Sequence, residues 1–255
     1  MAESLNTGYF GKIPSRGDFV SRGFNADFTQ HWDAWLQRGM SASQSQLGSS
    51  WHDIYMSSPI WRFALSPGAC DSHFWLGLLL PSVDQIGRHF PLTIATRIEH
   101  DTFSTPIVED NDPWFNAAEQ LALAVLQGGV SAESFDEQID QLQSPYASDA
   151  RHQARFSGST NTESNNPHWI IGATVPGQYS DGLALVALEL MMERYSNYST
   201  WWTSGSQIVA PSMMMCANLP SPSGFASFLD GNWDRDGWNN RFLLPAEEQA
   251  IHLHG

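Results

Sequence analysis

The sequence predicts an α+β (α/β) sandwich in which one mixed, largely antiparallel sheet carries helices on its faces. Three observations predict it. Residues 74–80 (FWLGLLL) form a near-continuous apolar run of strand length, as expected of a strand buried on both faces. Residues 91–98 (PLTIATRI) alternate apolar positions with Thr93 and Thr96, which suits a strand that is partly exposed. Residues 60–65 (IWRFAL), closed by the turn signal Ser66-Pro67-Gly68, supply a third strand just upstream, and three consecutive strands most simply form an antiparallel meander.

The remaining elements fall around that meander. Residues 8–13 alternate as a first strand ended by Pro14, and Gly17 beside Asp18 marks a tight turn. From 25 to 47 the period becomes helical. Asn25 is placed to cap the helix, Asp27 lies in the first turn, and Phe28, Trp32, Trp35, Leu36 and Met40 share one face. That aromatic stripe reads as packing against the sheet rather than as a ligand box. Gly48 interrupts, and 51–56 make a second, short helix stopped by Ser57-Ser58-Pro59. Residues 100–112 are acidic and irregular. Helices follow at 114–127, with Leu121 and Val125 inward and Gly128-Gly129 as the stop, and at 132–142. Between 144 and 167 Ser, Asn, Thr and Gly dominate, which predicts a long surface loop rather than a domain boundary. A short strand at 169–172 and a strongly apolar helix at 182–195, with Leu183, Val186, Leu190 and Met191 on one face, come next. After Thr200-Trp201-Trp202-Thr203, a strand is expected at 212–219 and a short helix at 225–229, ending at Asp230-Gly231. The chain thus reads as one domain over 1–231 and an extension over 232–255, whose Trp233 and Trp238 pack on the body before the chain frays.

Composition narrows the partners. At a net charge of -15, a nucleic-acid backbone or an anionic membrane repels the chain, whereas a basic protein surface attracts it. Lys12 is the sole lysine. Arginine, with its rigid fork, therefore supplies nearly all the positive charge, and suits partly buried carboxylate pairing. Cys70 and Cys216 lack ligand-like spacing and sit among apolar residues, so buried reduced thiols are expected. The N-terminal residues lack a basic start and apolar run, and no apolar stretch approaches the roughly 18 residues of a bilayer span, so cytoplasmic residence is expected.

Signatures of chemistry are sparse. Gly205-Ser206 lacks the flanking spacing of a nucleophile elbow, and Gly8-Tyr9-Phe10-Gly11-Lys12 lacks the spacing of a phosphate loop. His252 and His254 sit close together in the tail, without a metalloprotease pattern. Asp18, Asp33 or Asp84 could join a hard-ion site, yet an aspartate near an arginine is more often an ion pair. No cofactor or metal is expected. What stands out is a set of charges at turns beside aromatic strands: Lys12, Arg16, Asp18 and Arg22, then Trp61 and Arg62, then Asp84 and Arg88. Two readings are open. Arg16, Arg62 and Arg88 pair with Asp18 and Asp84 to pin turns, where loss of a partner strands a charge. Alternatively the set is a docking surface, where arginine and tryptophan are the favoured anchors.

The same residues carry a family resemblance. The segment 8–22 (GYFGKIPSRGDFVSR), 58–68 (SPIWRFALSPG) and 81–93 (PSVDQIGRHFPLT), with Trp201-Trp202, Gly205-Ser206 and 225–231 (FASFLDG) later, resemble the signatures of the TagF family, accessory proteins of bacterial type VI secretion systems. The likeness runs from about Gly8 to Gly231. It implies a cytoplasmic, non-enzymatic regulator that represses secretion post-translationally by binding the forkhead-associated scaffold protein, on a switch also served by a threonine kinase and phosphatase. A structural component of the apparatus, or an enzyme whose pocket converges on Arg62, Asp84 and Arg88, are the alternatives.

Overall fold

Strands of the described chain assemble outward from the predicted meander. The computed structural model describes residues 7–98, 112–142, 194–236 and 238–239. Strands β3 (Trp61–Leu65), β4 (Phe74–Leu80) and β5 (Leu92–Ile98) pair consecutively, as the sequence predicts. β1 (Thr7–Gly11) adds beside β5, and a three-residue strand β2 (Val20–Arg22), which the sequence did not signal, adds beyond it. On the other side β6 (Tyr198–Thr203) pairs with β3, and β7 (Ser212–Ala217) forms the outer edge. The order is β2-β1-β5-β4-β3-β6-β7.

Every pairing among these strands is antiparallel, so the α+β fold with a largely antiparallel sheet expected from the sequence is what forms, with no parallel pair among the described strands. The local reason is connection length within the meander. Its strands are joined by the connections 66–73 and 81–91, eight and eleven residues long, and a parallel neighbour needs a longer crossover.

Both faces of the sheet are covered. Helix α1 (Ala26–Leu47) starts where expected: the Asn25 side chain accepts from the Phe28 N–H at 2.7 Å. Its stripe of Phe28, Trp32, Trp35, Leu36 and Met40 packs with Phe10, Trp61, Phe63, Trp75 and Trp201. Helix α2 (Trp51–Met56) covers the same face, as does α5 (Phe225–Asp230), which ends at the left-handed Gly231. On the opposite face, α3 (Asp112–Leu126) and α4 (Ala132–Gln141) cover Tyr9, Leu76, Leu78, Leu80, Leu92 and Ile94. β4 therefore has no wet side, which is why its sequence is apolar throughout. β5 departs from expectation: Thr93 and Thr96 are buried rather than facing water. Thr93 lies beneath α1, where its hydroxyl accepts from Trp32 Nε1 at 2.8 Å. A hydroxyl that satisfies a buried indole reads in sequence as a polar, exposed position.

Cys70 is buried and Cys216, on the edge strand, is half-buried; both are free thiols. Burial pushes the Cys216 thiol up to about 12. Trp233 and Trp238 pack against the α1 side of the core. The predicted acidic segment at 100–111, the loop at 144–167, the strand at 169–172, the helix at 182–195 up to residue 193, and the tail beyond 239 lie outside the described residues. Among the described residues no helix is long and apolar enough to cross a membrane.

Candidate functional site

Two loops meet at the end of the sheet where β1 finishes and β4 hands over to β5. Gly11 makes the junction possible: its φ is +139°, and a Cβ there would stand 2.1 Å from the Pro91 carbonyl oxygen. The chain thus passes close to Pro91 and delivers Lys12 inward. Lys12 is only 6% exposed, and its Nζ lies 2.9 Å from Asp84 Oδ2. On the other side Ser82, two residues beyond the end of β4, donates its hydroxyl to the Lys12 carbonyl at 2.6 Å.

Asp84, 2% exposed, is the node of this end. Its Oδ2 accepts from Lys12 Nζ and from Arg88 Nε at 2.6 Å. Its Oδ1 accepts the backbone N–H groups of Ile86 at 3.1 Å and Arg88 at 2.8 Å. Burial alone would raise its pKa. The bonds from Lys12, from both the backbone and side chain of Arg88, and from Ile86 outweigh that and hold the carboxyl well below its usual range. The 82–90 segment closes as a small hairpin. Gly87, at φ +82°, makes the turn, and the Asp84 N–H donates to the Arg88 carbonyl at 3.1 Å.

The hairpin is latched to the 14–18 turn. Gln85 N–H donates to the Arg16 carbonyl at 3.0 Å, and Arg88 Nη2 donates to the Gly17 carbonyl. Beneath them Phe19 stands against Phe90, ring centroids 4.7 Å apart, and Lys12 Nζ lies 5.1 Å from the Phe19 ring centroid. On this fixed base two apolar side chains are left in solvent: Phe19 is 50% exposed and Ile86 72%. Arg16 and Arg88 are half-exposed beside them.

The predicted residues do not form one cluster. Lys12, Asp84 and Arg88 meet. Arg16 instead reaches Glu133 of α4 at 2.7 Å, tying the first loop to that helix, and Arg22 ties β2 to it through Asp140 at 2.7 Å and the Asp136 carbonyl at 2.9 Å. Tyr9 joins them by donating to Asp136; burial, then that bond, raises the Tyr9 pKa. Arg62 pairs elsewhere, with Glu119 at 2.6 Å and Asp112 at 2.5 Å on α3, and its guanidinium lies 5.1 Å from the Phe115 ring centroid. The pocket of Arg62, Asp84 and Arg88 considered from the sequence is therefore not formed. Trp61 is a core residue whose indole donates to the Phe228 carbonyl at 2.9 Å. Asp18 is exposed and, among the described residues, pairs with none of Arg16, Arg62 and Arg88, against the expectation that it would pin one.

Sequence reasoning missed the neighbours of the node. Tyr55 of α2 donates to the Ser82 carbonyl and accepts the Ser82 N–H, both at 2.9 Å. His52 and His89 are linked at 2.9 Å between Nδ1 and Nε2. Burial, then the charges of His52 and Lys12, lower the His89 pKa. Nothing in the sequence spacing pairs these histidines, which lie on separate elements. Among the described residues no three His, Cys, Asp or Glu side chains form a group able to hold a metal.

With this geometry in hand, comparison with known proteins gives a consistent result. Residues 8–142 match the family model described as TagF N-terminal domain, Type VI secretion system-associated. No curated protein matches the chain. Among solved structures, the crystal structure of PA0076 from Pseudomonas aeruginosa PAO1 is similar. It is 34% identical, with a TM-score of 0.74, and the match covers 94% of this chain and 98% of that one.

Proposed function

Since the chain belongs to the TagF family of type VI secretion system-associated proteins, we propose that it is a cytoplasmic, non-enzymatic regulator that represses secretion post-translationally by binding the forkhead-associated scaffold protein. A threonine kinase and phosphatase act on the same switch in this reading. In this reading residues 1–231 are the TagF-like unit and 232–255 an extension, of which the described Trp233 and Trp238 pack against the core. The observation that carries the binding role is the sheet end. Phe19 and Ile86 are held in solvent by loops that are latched together, with Arg16 and Arg88 beside them. A rigid apolar anchor flanked by guanidinium groups is the chemistry of an interface centre, because its ordering cost is met before the partner arrives. The acidic body, at -15, favours approach to a basic face of that partner.

Co-purification with the forkhead-associated protein of the same secretion system, at low salt and with both proteins folded, tests the proposal. Wild type is expected to be retained and Ile86→Asp to be lost without a change in melting temperature. Failure of the wild type to associate would remove the proposed partner. Gene deletion separates the rival role of structural component: effector export rises if the protein represses and stops if it is part of the apparatus.

A further inference from the structure

The two edges of the sheet are treated differently. At one edge β2 is three residues long and carries Arg22, which is engaged with α4 through Asp140 and the Asp136 carbonyl. Short length and a charged side chain are ordinary protections against strand addition. At the other edge β7 is a regular six-residue strand, paired along its whole length with β6 on the inner side. Its sequence, Ser-Met-Met-Met-Cys-Ala, holds no charge and no proline. Its outer backbone groups make no hydrogen bond among the described residues. Met213 and Met215 share a face and are 59% and 46% exposed.

A groove of about 390 Å³ runs along this edge, bounded by Met213 and Met215, by Leu219, and by Asp236 and Trp238 of the C-terminal segment. Asp236 accepts from the Ser221 hydroxyl at 2.5 Å and is otherwise without a cationic partner among the described residues. The edge therefore offers backbone donors and acceptors at strand spacing, thioether side chains that adapt to varied contacts, and a carboxylate at the rim.

We propose that the outer edge of β7 accepts an extended, positively charged segment of a partner protein, which adds to the sheet as one more strand. Backbone pairing supplies the register, Met213, Met215 and Trp238 contact alternate side chains, and Asp236 takes a lysine or arginine. Charge decides between occupants. A second copy of this chain brings another net charge of -15 to the same edge, whereas a basic segment is attracted to it. This surface is separate from the sheet end of Phe19 and Ile86, so its test does not depend on the forkhead-associated partner.

The experiment uses the full 255-residue chain and a fluorescein-labelled peptide, Lys-Val-Thr-Val-Thr-Val-Lys, followed by fluorescence anisotropy at low salt. Saturable binding is expected, together with slowed amide exchange in 212–217. Peptides with glutamate in place of lysine, or with alternate valines N-methylated to block pairing, are expected to bind roughly tenfold or more weakly. Met213→Lys and Met215→Lys, at exposed positions that leave the melting temperature unchanged, are expected to weaken binding likewise. Absence of binding, equal binding of the N-methylated peptide, or binding without protection of β7 overturns the proposal. So does a wild-type dimer that both lysine variants dissociate, since the edge then belongs to a second copy.

Discussion

Replacing Lys12 with methionine isolates the node at the sheet end. Methionine keeps the apolar stem and removes the ammonium, leaving Asp84 buried with Arg88 Nε and two backbone N–H groups. Removing one member of a buried ion pair costs about 3–5 kcal/mol. Because Asp84 keeps three of its four donors, the Lys12 variant is placed at the lower end, about 3 kcal/mol. For a chain of this size that loss corresponds to a fall in Tm of roughly 6–12 °C. Urea unfolding at pH 7, read by tryptophan fluorescence, should show a lower midpoint with an unchanged slope. The pH dependence has a defined sign. The folded pKa of Asp84 is depressed, so its contribution is present above the unfolded carboxyl value near ~4 and is lost as pH falls through the folded value. The variant has a smaller depression, so the gap between the two proteins holds at neutral pH and closes only in strong acid. A loss below about 1 kcal/mol at pH 7 would mean the pair behaves like a surface ion pair, and the reasoning about a buried node would fail.

Other perturbations reach other parts of the molecule. Gly39→Ala should destabilise despite the better helix propensity of alanine, because a Cβ there would lie 2.7 Å from Cγ of Phe225; a rise in Tm would refute the packing argument. Arg62→Gln removes the ties to Glu119 and Asp112 and should cost about 1–2 kcal/mol in chemical unfolding, with association at the sheet end unchanged. His89 has a lowered folded pKa, so its contribution is present above the ordinary imidazole value near ~6.5 and is lost as the pH falls. The decline in stability from pH 7 to pH 5 should be shallower in His89→Gln, and an identical slope would exclude that role. Phe19→Ser should weaken co-purification with the forkhead-associated protein as Ile86→Asp does, since both exposed side chains stand on the latched loops.

The elements most legible in the sequence were those whose burial is uniform. β4 is covered on both faces and reads as an unbroken apolar run; the inward stripe of α1 reads at helical period. Polar groups that satisfy one another inside the fold misled. Thr93 looked exposed because its role, accepting the Trp32 indole proton, depends on a helix sixty-one residues away in sequence. β2 went unseen because three residues are too few to show alternation, and Arg22 gives it a polar appearance. At the site, sequence singled out Lys12, Asp84 and Arg88, but grouped with them an Arg62 that answers to α3 instead. The link between His52 and His89 and the exposure of Ile86 follow from how loops from separate elements meet, which no local pattern encodes.

In the proposed binding role, the choice between pinning turns and docking a partner applies residue by residue. Lys12 and Asp84 are committed inward, and their atoms are engaged with each other and with the loops. Arg88 uses Nε on Asp84 and Nη2 on the Gly17 carbonyl while remaining half-exposed. Its guanidinium has five donors, so anchoring the hairpin leaves N–H groups available. Arg16 likewise spends one nitrogen on Glu133 and stays half-exposed. Fixing a guanidinium by some of its donors lowers the entropy lost when the others bind, which makes an anchored arginine a better interface residue than a free one. In the binding role proposed above, the ion pairs that hold the two loops also prepare Arg16, Arg88, Phe19 and Ile86 for contact, and a variant that frees the loops should weaken association even where no contacting side chain is changed.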